Sequence, residues 1–437
     1  MSLNSNNRLP SRRALLLTAA AGVLGAGGYT GWEMLRDKDV PAPPQRTALW
    51  SFTAPEKLNY YGMSSDGRCL FVTTDQPGGL LAVDTATGRS RWDKQVGVEY
   101  WDPSGVTVAD GTVYLVSSTG TAMAFRAEDG RRLWATEPLG NGAPSAPVVL
   151  GSTVCIRLHR NTDDEAAFAP GVLCGLDAGT GRVRWTAESS SVFEPLRRQQ
   201  LLLARAGKLD DVRTDHRPLS ALDPRTGTVR WQIPAPGGEG HVAVAPDGSA
   251  LYLLDEQYRL CAHDTGTGRR QWRVPAMDGM ITVAEDGSAV YVCTSRGDLA
   301  AYDPHSGDQR WRRTVAEGYC EPLVTQHVGR VFVTSALEFG TDSIFSLGGY
   351  RGYVLAVSAE TGKQLWRVDR MTRCLSRPYV AGDDVIVTHA GNMWSYDART
   401  GRPRWQLPDT SITMADPYIA SGVLYALSSG GIRAIRL

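Results

Sequence analysis

The chain has 437 residues, and its 46 lysines and arginines are balanced by 46 aspartates and glutamates. Because the formal net charge is zero and both signs are mixed along the chain, we exclude a nucleic-acid partner. The length is large for one compact core but suits a ring of small sheets that pack only on their neighbours.

The N-terminal segment differs in composition from the rest of the chain. Arg12 and Arg13 stand directly before an uncharged run, rich in Ala, Leu and Gly, that extends from Ala14 to Trp32. The stretch SRRALL resembles a twin-arginine export signal, an address read by a receptor. We therefore predict that residues 1–32 are an export signal or an N-terminal anchor. The run is close to the minimum length of a membrane span, so cleavage and retention both stay open.

Residues 33–48 are predicted to be a Pro-rich linker, and residues 49–437 repeat one element. In each copy, of which LLAVDTATGRSRW is an example, a short apolar run ends on Asp, Gly follows, and Trp comes four residues after Gly. Arg126 and Ser358 replace the Asp in two copies. The eight copies end at Trp92, Trp134, Trp185, Trp231, Trp272, Trp311, Trp366 and Trp405. Their spacing is mostly near the period of about 40 residues that is typical of β-propeller blades.

The residue types of this element predict its local structure. A run rich in Val, Leu and Tyr favours a strand, Asp opens an Asx-type turn, and Gly supplies the positive φ that closes the turn. A small residue stands two positions before each Asp position, at Ala82, Ala124, Gly175, Ala221, Ala262, Ala301, Ala356 and Ser395. We expect each indole to pack on such a small residue of a neighbouring sheet and to join two blades, which is a structural role.

The two ends of the repeat region complement each other. A ninth hairpin, GVLYALSSGGIRAIRL, is not followed by a Trp strand, whereas TALWSF near the start is a Trp strand without a hairpin. The economical solution is that Trp50 supplies the outer strand of the C-terminal sheet and leaves no open edge. We therefore predict an all-β fold, a β-propeller of eight to nine four-stranded blades whose ring is closed by the Trp50 strand.

The repeat, written small-x-Asp-x-x-Thr/Ser-Gly-x-x-x-Trp, is similar to the tryptophan-docking repeat of the pyrroloquinoline quinone (PQQ) propeller family. The similarity covers nearly everything from Trp50 to Leu437. The family contains quinoprotein dehydrogenases and also propellers without catalysis, such as the scaffold lipoprotein of outer-membrane barrel assembly and sensor domains. The resemblance implies the fold and leaves three functions open: a binding or scaffold protein of the cell envelope, a quinoprotein-like oxidoreductase, and an extracytoplasmic ligand-sensing domain.

The enzymes of this family carry a vicinal disulfide beside the quinone and bind calcium through Glu, Asn and Asp. In this chain no two cysteines are adjacent, and the asparagines after the linker are Asn59, Asn141, Asn161 and Asn392. We therefore favour a protein without catalytic residues, cofactor or metal, and keep PQQ with calcium as the alternative.

The seven cysteines lie far apart and form no CxxC motif. Cys174 and Cys261 occupy the same position of the repeat, where other copies have Leu or Ala, so we predict small buried hydrophobic residues there. Cys320 and Cys374 both fall near the start of a blade, and a disulfide between them stays open.

The segments that enter each blade are expected to open on one face around the central channel. They carry acids, arginines and an indole that suit a polar ligand or a peptide. A solvated rim carries such groups as well. The candidate residues at this channel mouth are Trp101, Asp102, Glu239, His241, Asp278, Glu321, Arg373, Arg377 and Asp416.

Three hairpin loops are longer than the others and should project from the same face. They are HRNTDDEAAFAPG after Leu158, GKLDDVRTDHRP after Ala206 and ALEFGTDSIFSLGGYRG after Ser335. The last loop contains Phe339, Phe345 and Tyr350, aromatic residues that a turn does not need, so it is a candidate partner loop. The alternative is a tolerated insertion at a loop tip. The expected partners are an envelope protein, a peptide or a polar small ligand, with membrane contact only through the N-terminal segment.

Overall fold

The computed structural model describes residues 43–53, 60–74, 78–96, 105–117, 119–140, 146–158, 171–206, 218–234, 242–315, 323–339, 349–370, 377–389, 392–407, 417–428 and 431–437. Every regular element within these ranges is a β-strand. Within these ranges there is no helix that could span a membrane.

The strands form nine four-stranded blades in a ring, which confirms the upper of the two predicted blade numbers. The N-terminal strand is β1 (Trp50–Thr53). The strands of blades 1 to 4 follow in chain order: β2 (Tyr60–Ser65), β3 (Cys69–Thr74), β4 (Gly79–Asp84), β5 (Ser90–Gln95); β6 (Thr107–Ala109), β7 (Thr112–Val116), β8 (Ala122–Arg126), β9 (Arg132–Ala135); β10 (Val148–Leu150), β11 (Thr153–Leu158), β12 (Gly171–Asp177), β13 (Val183–Leu196); β14 (Leu201–Ala206), β15 (Leu219–Leu222), β16 (Val229–Ile233).

Blades 5 to 9 repeat the same antiparallel order. Their strands are β17 (Val242–Val244), β18 (Ala250–Leu254), β19 (Arg259–Asp264), β20 (Arg270–Pro275); β21 (Met280–Val283), β22 (Val290–Cys293), β23 (Asp298–Tyr302), β24 (Gln309–Thr314); β25 (Leu323–His327), β26 (Arg330–Phe339), β27 (Gly349–Ser358), β28 (Gln364–Arg370); β29 (Tyr379–Ala381), β30 (Asp384–His389), β31 (Asn392–Asp397), β32 (Pro403–Leu407); β33 (Tyr418–Ala420), β34 (Val423–Ser428), β35 (Gly431–Arg436).

Blades 3 and 4 depart from the regular pattern because they share one continuous strand. The first part of β13 pairs with β12 as far as Ser189, and its last part, from Phe193 to Leu196, pairs with β14. Together the two blades form a seven-stranded sheet. The same strand is therefore the outer strand of blade 3 and the inner strand of blade 4.

The turn before each Trp strand is built as the sequence predicts. In blade 1, Oδ1 of Asp84 accepts hydrogen bonds from the backbone N–H groups of Ala86 (3.1 Å) and Thr87 (2.9 Å), and Gly88 has a φ of 71°. Arg91 reaches back from the next strand to Oδ2 of Asp84 at 2.6 Å. The hydrogen bonds from Arg91 and Thr87 lower the pKa of Asp84 to about 2, so the turn keeps its charge at neutral pH.

The structure corrects the expected place of the small residue. The register sets Ala82 directly opposite Trp92 within blade 1, and the same pairing holds in every later blade that carries the repeat. The small residue therefore lies in the same blade as its Trp and not in the neighbouring sheet. The residue is small because the indole lies against it and leaves little room for a side chain. At Gly175 even a Cβ would collide with the Trp185 ring.

The contact between blades is made by the turn. Nε1 of Trp92 donates to the backbone oxygen of Ala127 in blade 2 at 3.0 Å, and a Cβ built on Gly130 of that turn would lie 2.7 Å from the indole. The glycine is thus required both by its φ of 67° and by this close approach. The same bond joins seven further pairs: Trp50–Thr85, Trp134–Ala178, Trp185–Pro224, Trp231–Thr265, Trp272–Pro304, Trp311–Ala359 and Trp366–Ala398.

The predicted ring closure is confirmed. Strand β1 pairs antiparallel with β35, with Trp50 opposite Ala434, and so completes blade 9. In this blade no turn links the third strand to the outer one, because the outer strand comes from the other end of the repeat region. The Trp405 ring of blade 8 therefore lacks the turn that covers the docking indole in all the other blades.

The segment before β1 lies against Trp405 instead. The guanidinium of Arg46 is 5.8 Å from the Trp405 ring, and the Arg46 N–H donates to the backbone oxygen of Gln406 at 2.9 Å. Residues 44–46, which the sequence assigns to the linker, thus extend along β32 before the chain enters blade 9. Asp384 of blade 8 binds the hydroxyl of Ser395 (2.7 Å) and takes the Nε1 hydrogen bond of Trp405 at 3.4 Å.

The two cysteines of the repeat are buried, as the sequence predicts. Cys174 and Cys261 lie within the packed faces of blades 3 and 5. Burial raises the pKa of Cys174 to about 12 and that of Cys261 to about 11. Both thiols are therefore protonated packing residues at neutral pH. Cys320 and Cys374 lie outside the described residues.

We expect Trp311→Ala to destabilise the protein by about 3–5 kcal/mol, because it leaves a cavity between blades 6 and 7 and removes the bond to Ala359. The side chain of Trp311 is only 5% exposed. The matched control is Leu365→Ala on the outer strand of blade 7, where the side chain is 47% exposed and the cost should stay within about 0.5 kcal/mol. Chemical denaturation measures both, and equal effects would contradict the role of the indole.

Deletion of residues 430–437 removes β35 and should prevent formation of the closed ring. The deletion takes away the partner of both β1 and β34 and exposes two sheet edges. We expect aggregation or loss of the folded monomer in size-exclusion chromatography and circular dichroism. A truncated protein as stable as the parent would show that the ring closes elsewhere.

Candidate functional site

The propeller has two faces of different character. The loop face carries the hairpins between the second and third strands of each blade and the segments that enter the next blade. The turn face carries the tight turns between the first and second strands and between the third and fourth strands. First strands of neighbouring blades, such as β2 and β6 or β17 and β21, contact each other and form the inner ring. Those of the predicted functional residues that the structure describes, Asp278, Arg377, Phe339 and Tyr350, lie on the loop face.

Two of the nine predicted channel-mouth residues lie within the described part of the chain. Asp278 and Arg377 are both exposed, directly before the inner strands of blades 6 and 8. Blade 7 stands between them, so the structure does not bring this pair together. The other seven, Trp101, Asp102, Glu239, His241, Glu321, Arg373 and Asp416, lie outside the described residues, and their grouping at the channel mouth stays a prediction.

The hairpin of blade 7 is the longest feature of the loop face within the described residues. Strands β26 and β27 pair over ten registered positions, from Arg330 opposite Ser358 to Phe339 opposite Gly349. The sequence suggested that residues 336–352 are a loop outside the blade ladder. That expectation was wrong, because residues 336–339 and 349–352 continue the ladder. Phe339 and Tyr350 therefore belong to strands, and Phe345 lies outside the described residues.

The far end of this hairpin extends past the described parts of the two neighbouring strands, β25 and β28. Pairing with β25 ends at Thr334, and pairing with β28 ends at Gly352. Residues 337–339 and 349–351 thus form a two-stranded extension, which we call the blade 7 ribbon. Within the described ranges no third strand pairs with either edge of this ribbon. Its outward backbone N–H and C=O groups are of the kind to which another extended segment can add.

Two buried arginines, which the sequence did not lead us to expect, precede the other two long hairpin segments in the chain. Arg157 near the end of β11 and Arg205 near the end of β14 are 7% and 2% exposed. Burial lowers the pKa of Arg157. The loops that follow contain TDDE and LDD in their sequences. An Arg in an otherwise apolar strand, directly before an acidic stretch, is the signal that could have identified them, because buried cations are retained where they have partners.

The closing seam contains a polar cavity of about 470 Å³ at the turn face. Its wall is formed by residues 44–47 on one side and by Asp384, Arg404 and Trp405 on the other. Arg404 pairs with Asp384 at 3.2 Å, and Nη2 of Arg46 donates to the backbone oxygen of Arg436 at 2.8 Å. The charged groups of this cavity are thus engaged in holding the seam together.

Potential metal ligands and thiols are spread over the described part of the chain. Within it, no three His, Cys, Asp or Glu side chains come together as a group that could hold a metal ion. Cys69, Cys155, Cys174 and Cys261 are buried free thiols, and Cys293 is buried as well. Their burial suits packing rather than thiol chemistry.

Comparison with known proteins gives a family and a fold. A family model described as outer membrane protein assembly factor BamB matches residues 37–200, 171–336 and 327–437. None of the curated proteins compared with the chain matches it.

Similar solved structures include a BamB protein and proteins named as enzymes. BamB from Moraxella catarrhalis is 17% identical, with a TM-score of 0.50, over 89% of this chain and 99% of that one. Quinohemoprotein alcohol dehydrogenase ADHIIG from Pseudomonas putida HK5 is 14% identical, with a TM-score of 0.50, over 89% and 72% of the two chains. The quinohemoprotein alcohol dehydrogenase from Comamonas testosteroni is 14% identical, with a TM-score of 0.51, over 88% and 73%. At these identities the likeness shows the fold alone.

Proposed function

Because the chain belongs to the family of the outer membrane protein assembly factor BamB, we propose that it is an exported, non-catalytic β-propeller that binds or scaffolds proteins in the cell envelope. The observation that carries the proposal is the blade 7 ribbon. It extends from a rigid sheet, it lies on the face that carries the long loops, and its edges are open within the described residues.

The chemistry of the ribbon indicates the class of partner. Unpaired strand edges bind an extended polypeptide through main-chain hydrogen bonds, and side chains on alternate positions then give specificity. Phe339 and Tyr350 stand on opposite strands of the ribbon, with Phe339 opposite Gly349 and Tyr350 opposite Glu338. Aromatic residues are enriched among those that dominate binding energy. We therefore propose a partner that offers a strand or an extended peptide.

The alternative functions remain a quinoprotein-like oxidoreductase and a ligand-sensing domain. The oxidoreductase reading needs residues for PQQ and calcium. No cysteine has a cysteine neighbour, and Asn392 is the only one of the four candidate asparagines within the described ranges. The sequence thus lacks the vicinal cysteine pair that the family resemblance implies for a quinone site, and no reaction step is assigned. A ligand-sensing domain would bind at the predicted channel mouth, and it would differ from a binding protein only in what it binds.

We propose an extracytoplasmic location, with the N-terminal segment either cleaved or retained as an anchor. Replacing both Arg12 and Arg13 by Lys should leave the protein in the cytoplasm, because the signal is recognised as a motif and not by charge alone. Fractionation of cells that express the parent or the double variant measures this. Normal export of the Lys variant would contradict the twin-arginine assignment.

Replacing residues 337–351 by Asn-Gly should abolish capture of the partner and leave the fold intact. Ala336 and Gly352 are directly opposite, so a two-residue type I′ turn can join them. Capture from the native envelope by the tagged parent and variant, with mass spectrometry of what is bound, measures the effect. The matched control is Val328→Ser, a 72% exposed residue in a turn of the same blade at the opposite face.

Two results, one from this capture experiment and one from an activity assay, would contradict the proposal. Equal capture of the same proteins by the parent and the ribbon variant would move the binding site away from blade 7. Dye-linked oxidation of alcohols or sugars by the parent protein, supplied with PQQ and calcium, would favour the oxidoreductase instead. We expect no such turnover.

A further inference from the structure

Charge is distributed unevenly around the turn face. The turns of this face lie within the described residues, so their charges can be compared blade by blade. We count each last turn from its Asp position to the residue before its Trp. In blades 3, 4 and 5 the turns then contain eight arginines and four aspartates. The arginines, which we call the basic sector, are Arg182, Arg184, Arg197, Arg198, Arg225, Arg230, Arg269 and Arg270, and the aspartates are Asp177, Asp223, Asp247 and Asp264.

The turns of blades 6 and 7 have the opposite net sign. Within the same bounds they contain five acids and three basic residues. The acids are Glu285, Asp286, Asp303, Asp308 and Glu360, and the basic residues are Arg310, Arg330 and Lys363. The turn glycine of the repeat is present in both groups of blades, so the repeat itself does not require this difference. The positive charge of blades 3 to 5 is therefore a local property of the face.

Five arginines of the basic sector have no acidic partner. The other three form ion pairs: Arg184–Asp177 at 2.5 Å, Arg230–Asp223 at 2.6 Å and Arg198–Asp247 at 3.6 Å. Arg182, Arg197, Arg225, Arg269 and Arg270 are exposed and make no ion pair within the described part of the chain. Asp264 is half-buried, and its Oδ1 accepts the backbone N–H of Thr267 at 2.8 Å inside its own turn. The surface that these turns present to solvent is thus mainly guanidinium.

Two exposed apolar side chains lie among these arginines. Val183 stands between Arg182 and Arg184, and Val229 stands directly before Arg230, each at the start of an outer strand. The valines are 42% and 47% exposed. Basic and apolar side chains that are exposed side by side suit the surface of a bilayer, where the charges meet anionic headgroups and the apolar groups enter the headgroup layer.

The N-terminal segment joins the propeller at the same face. Strand β1 begins at the turn face, since Trp50 lies opposite Ala434, near the end of β35. Only ten residues, 33–42, stand between the uncharged run and the first described residue, and they span at most about 36 Å when fully extended. A retained anchor therefore keeps the turn face close to the bilayer.

We infer that the basic sector docks on an anionic membrane surface, with its guanidinium groups on lipid phosphates. Its arginines are spread over four turns of three blades, and a bilayer offers phosphates over a comparable area, whereas a small ligand does not. This contact adds to any contact through the N-terminal segment and does not require that the segment is retained. It also directs the loop face away from the membrane, so the blade 7 ribbon stays open to a partner.

The experiment is co-sedimentation of the full chain with two kinds of vesicle, phosphatidylcholine alone and phosphatidylcholine mixed with phosphatidylglycerol. Insertion of the apolar N-terminal run contributes to both kinds, so the difference between them reports the charge. We expect a larger bound fraction on the vesicles with phosphatidylglycerol. Rising salt should remove this gain, because exposed charges are screened.

A variant without four of the unpaired charges tests where the contact lies. It combines Arg182→Gln, Arg197→Gln, Arg225→Gln and Arg269→Gln. The matched control removes the same number of charges from exposed arginines on outer strands and on the loop face, with Arg273→Gln, Arg296→Gln, Arg313→Gln and Arg377→Gln.

We expect the basic-sector variant to lose affinity for the anionic vesicles by more than about tenfold, because one basic residue near an anionic surface contributes about fivefold. The control should lose at most about threefold, since this attraction falls off within a Debye length. Melting curves of both variants verify that the fold is kept.

Hydrogen exchange locates the contact independently of affinity. With the anionic vesicles we expect slower exchange of backbone amides in the turns at residues 197–200 and 223–230 than with phosphatidylcholine alone. The turn at residues 284–288 in blade 6 should exchange equally with both, because that part of the face is acidic.

Three results would overturn the inference. One is that the parent binds both kinds of vesicle equally and that its basic-sector turns exchange equally with both. Another is that the control variant loses as much affinity as the basic-sector variant, which would indicate a response to net charge alone. A third is that soluble poly-glutamate binds as tightly as the anionic vesicles, with the same dependence on salt and on the four arginines. That result would make an acidic polypeptide the partner of this surface.

Discussion

The hydrogen bond from a tryptophan Nε1 to a backbone oxygen of the next blade, with the turn glycine against the indole, is the interaction on which the ring depends. It fixes the distance and angle between two neighbouring blades. Each of its requirements appears in the sequence: a small residue opposite the indole, a glycine where the next blade approaches, and an Asp that shapes the turn. A propeller blade packs only on its neighbours, so the same joint must be repeated around the ring.

The ring closes by replacing this joint with a different one. Blade 9 takes its outer strand from the N-terminal side of the repeats, so no turn is left to cover Trp405. Arg46 lies over that ring instead, and Asp384 accepts the Nε1 hydrogen bond that a backbone oxygen accepts in the other blades. The Ser395 at the small position fits this arrangement, because its hydroxyl gives Asp384 a second donor. Blade 8 is therefore polar where its counterparts are apolar, and these polar groups make contacts that close the ring.

The sequence predicted the structural features that follow from local spacing. It did not predict the features that depend on which residues meet in three dimensions. Blade repeats, turn glycines and the closure by Trp50 follow from motifs that recur at fixed intervals. Spacing sets Ala82 ten residues before Trp92 but does not say in which sheet the two meet, so the small residue was assigned to the wrong blade. The stretch 336–352 contains four glycines, which suggests a loop, yet its residues 336–339 and 349–352 pair as strands because blade 7 continues the ladder. The role of Arg46 depends on Trp405, more than 350 positions away in the chain.

The two faces differ in how freely their residues can vary, and this difference decides where function can arise. A turn between the third and fourth strands must present glycine and a backbone oxygen to the preceding indole, so the turn face is held close to the repeat. The hairpins of the loop face carry no such joint, and they vary in length. A specific site on the turn face is therefore expected only where a turn is released from the pattern. Blade 4 is such a place: its first turn follows the shared strand β13 and contains Gln199 and Gln200 in place of a glycine turn. The same break in the repeat that fuses blades 3 and 4 thus opens a cavity at their turn face.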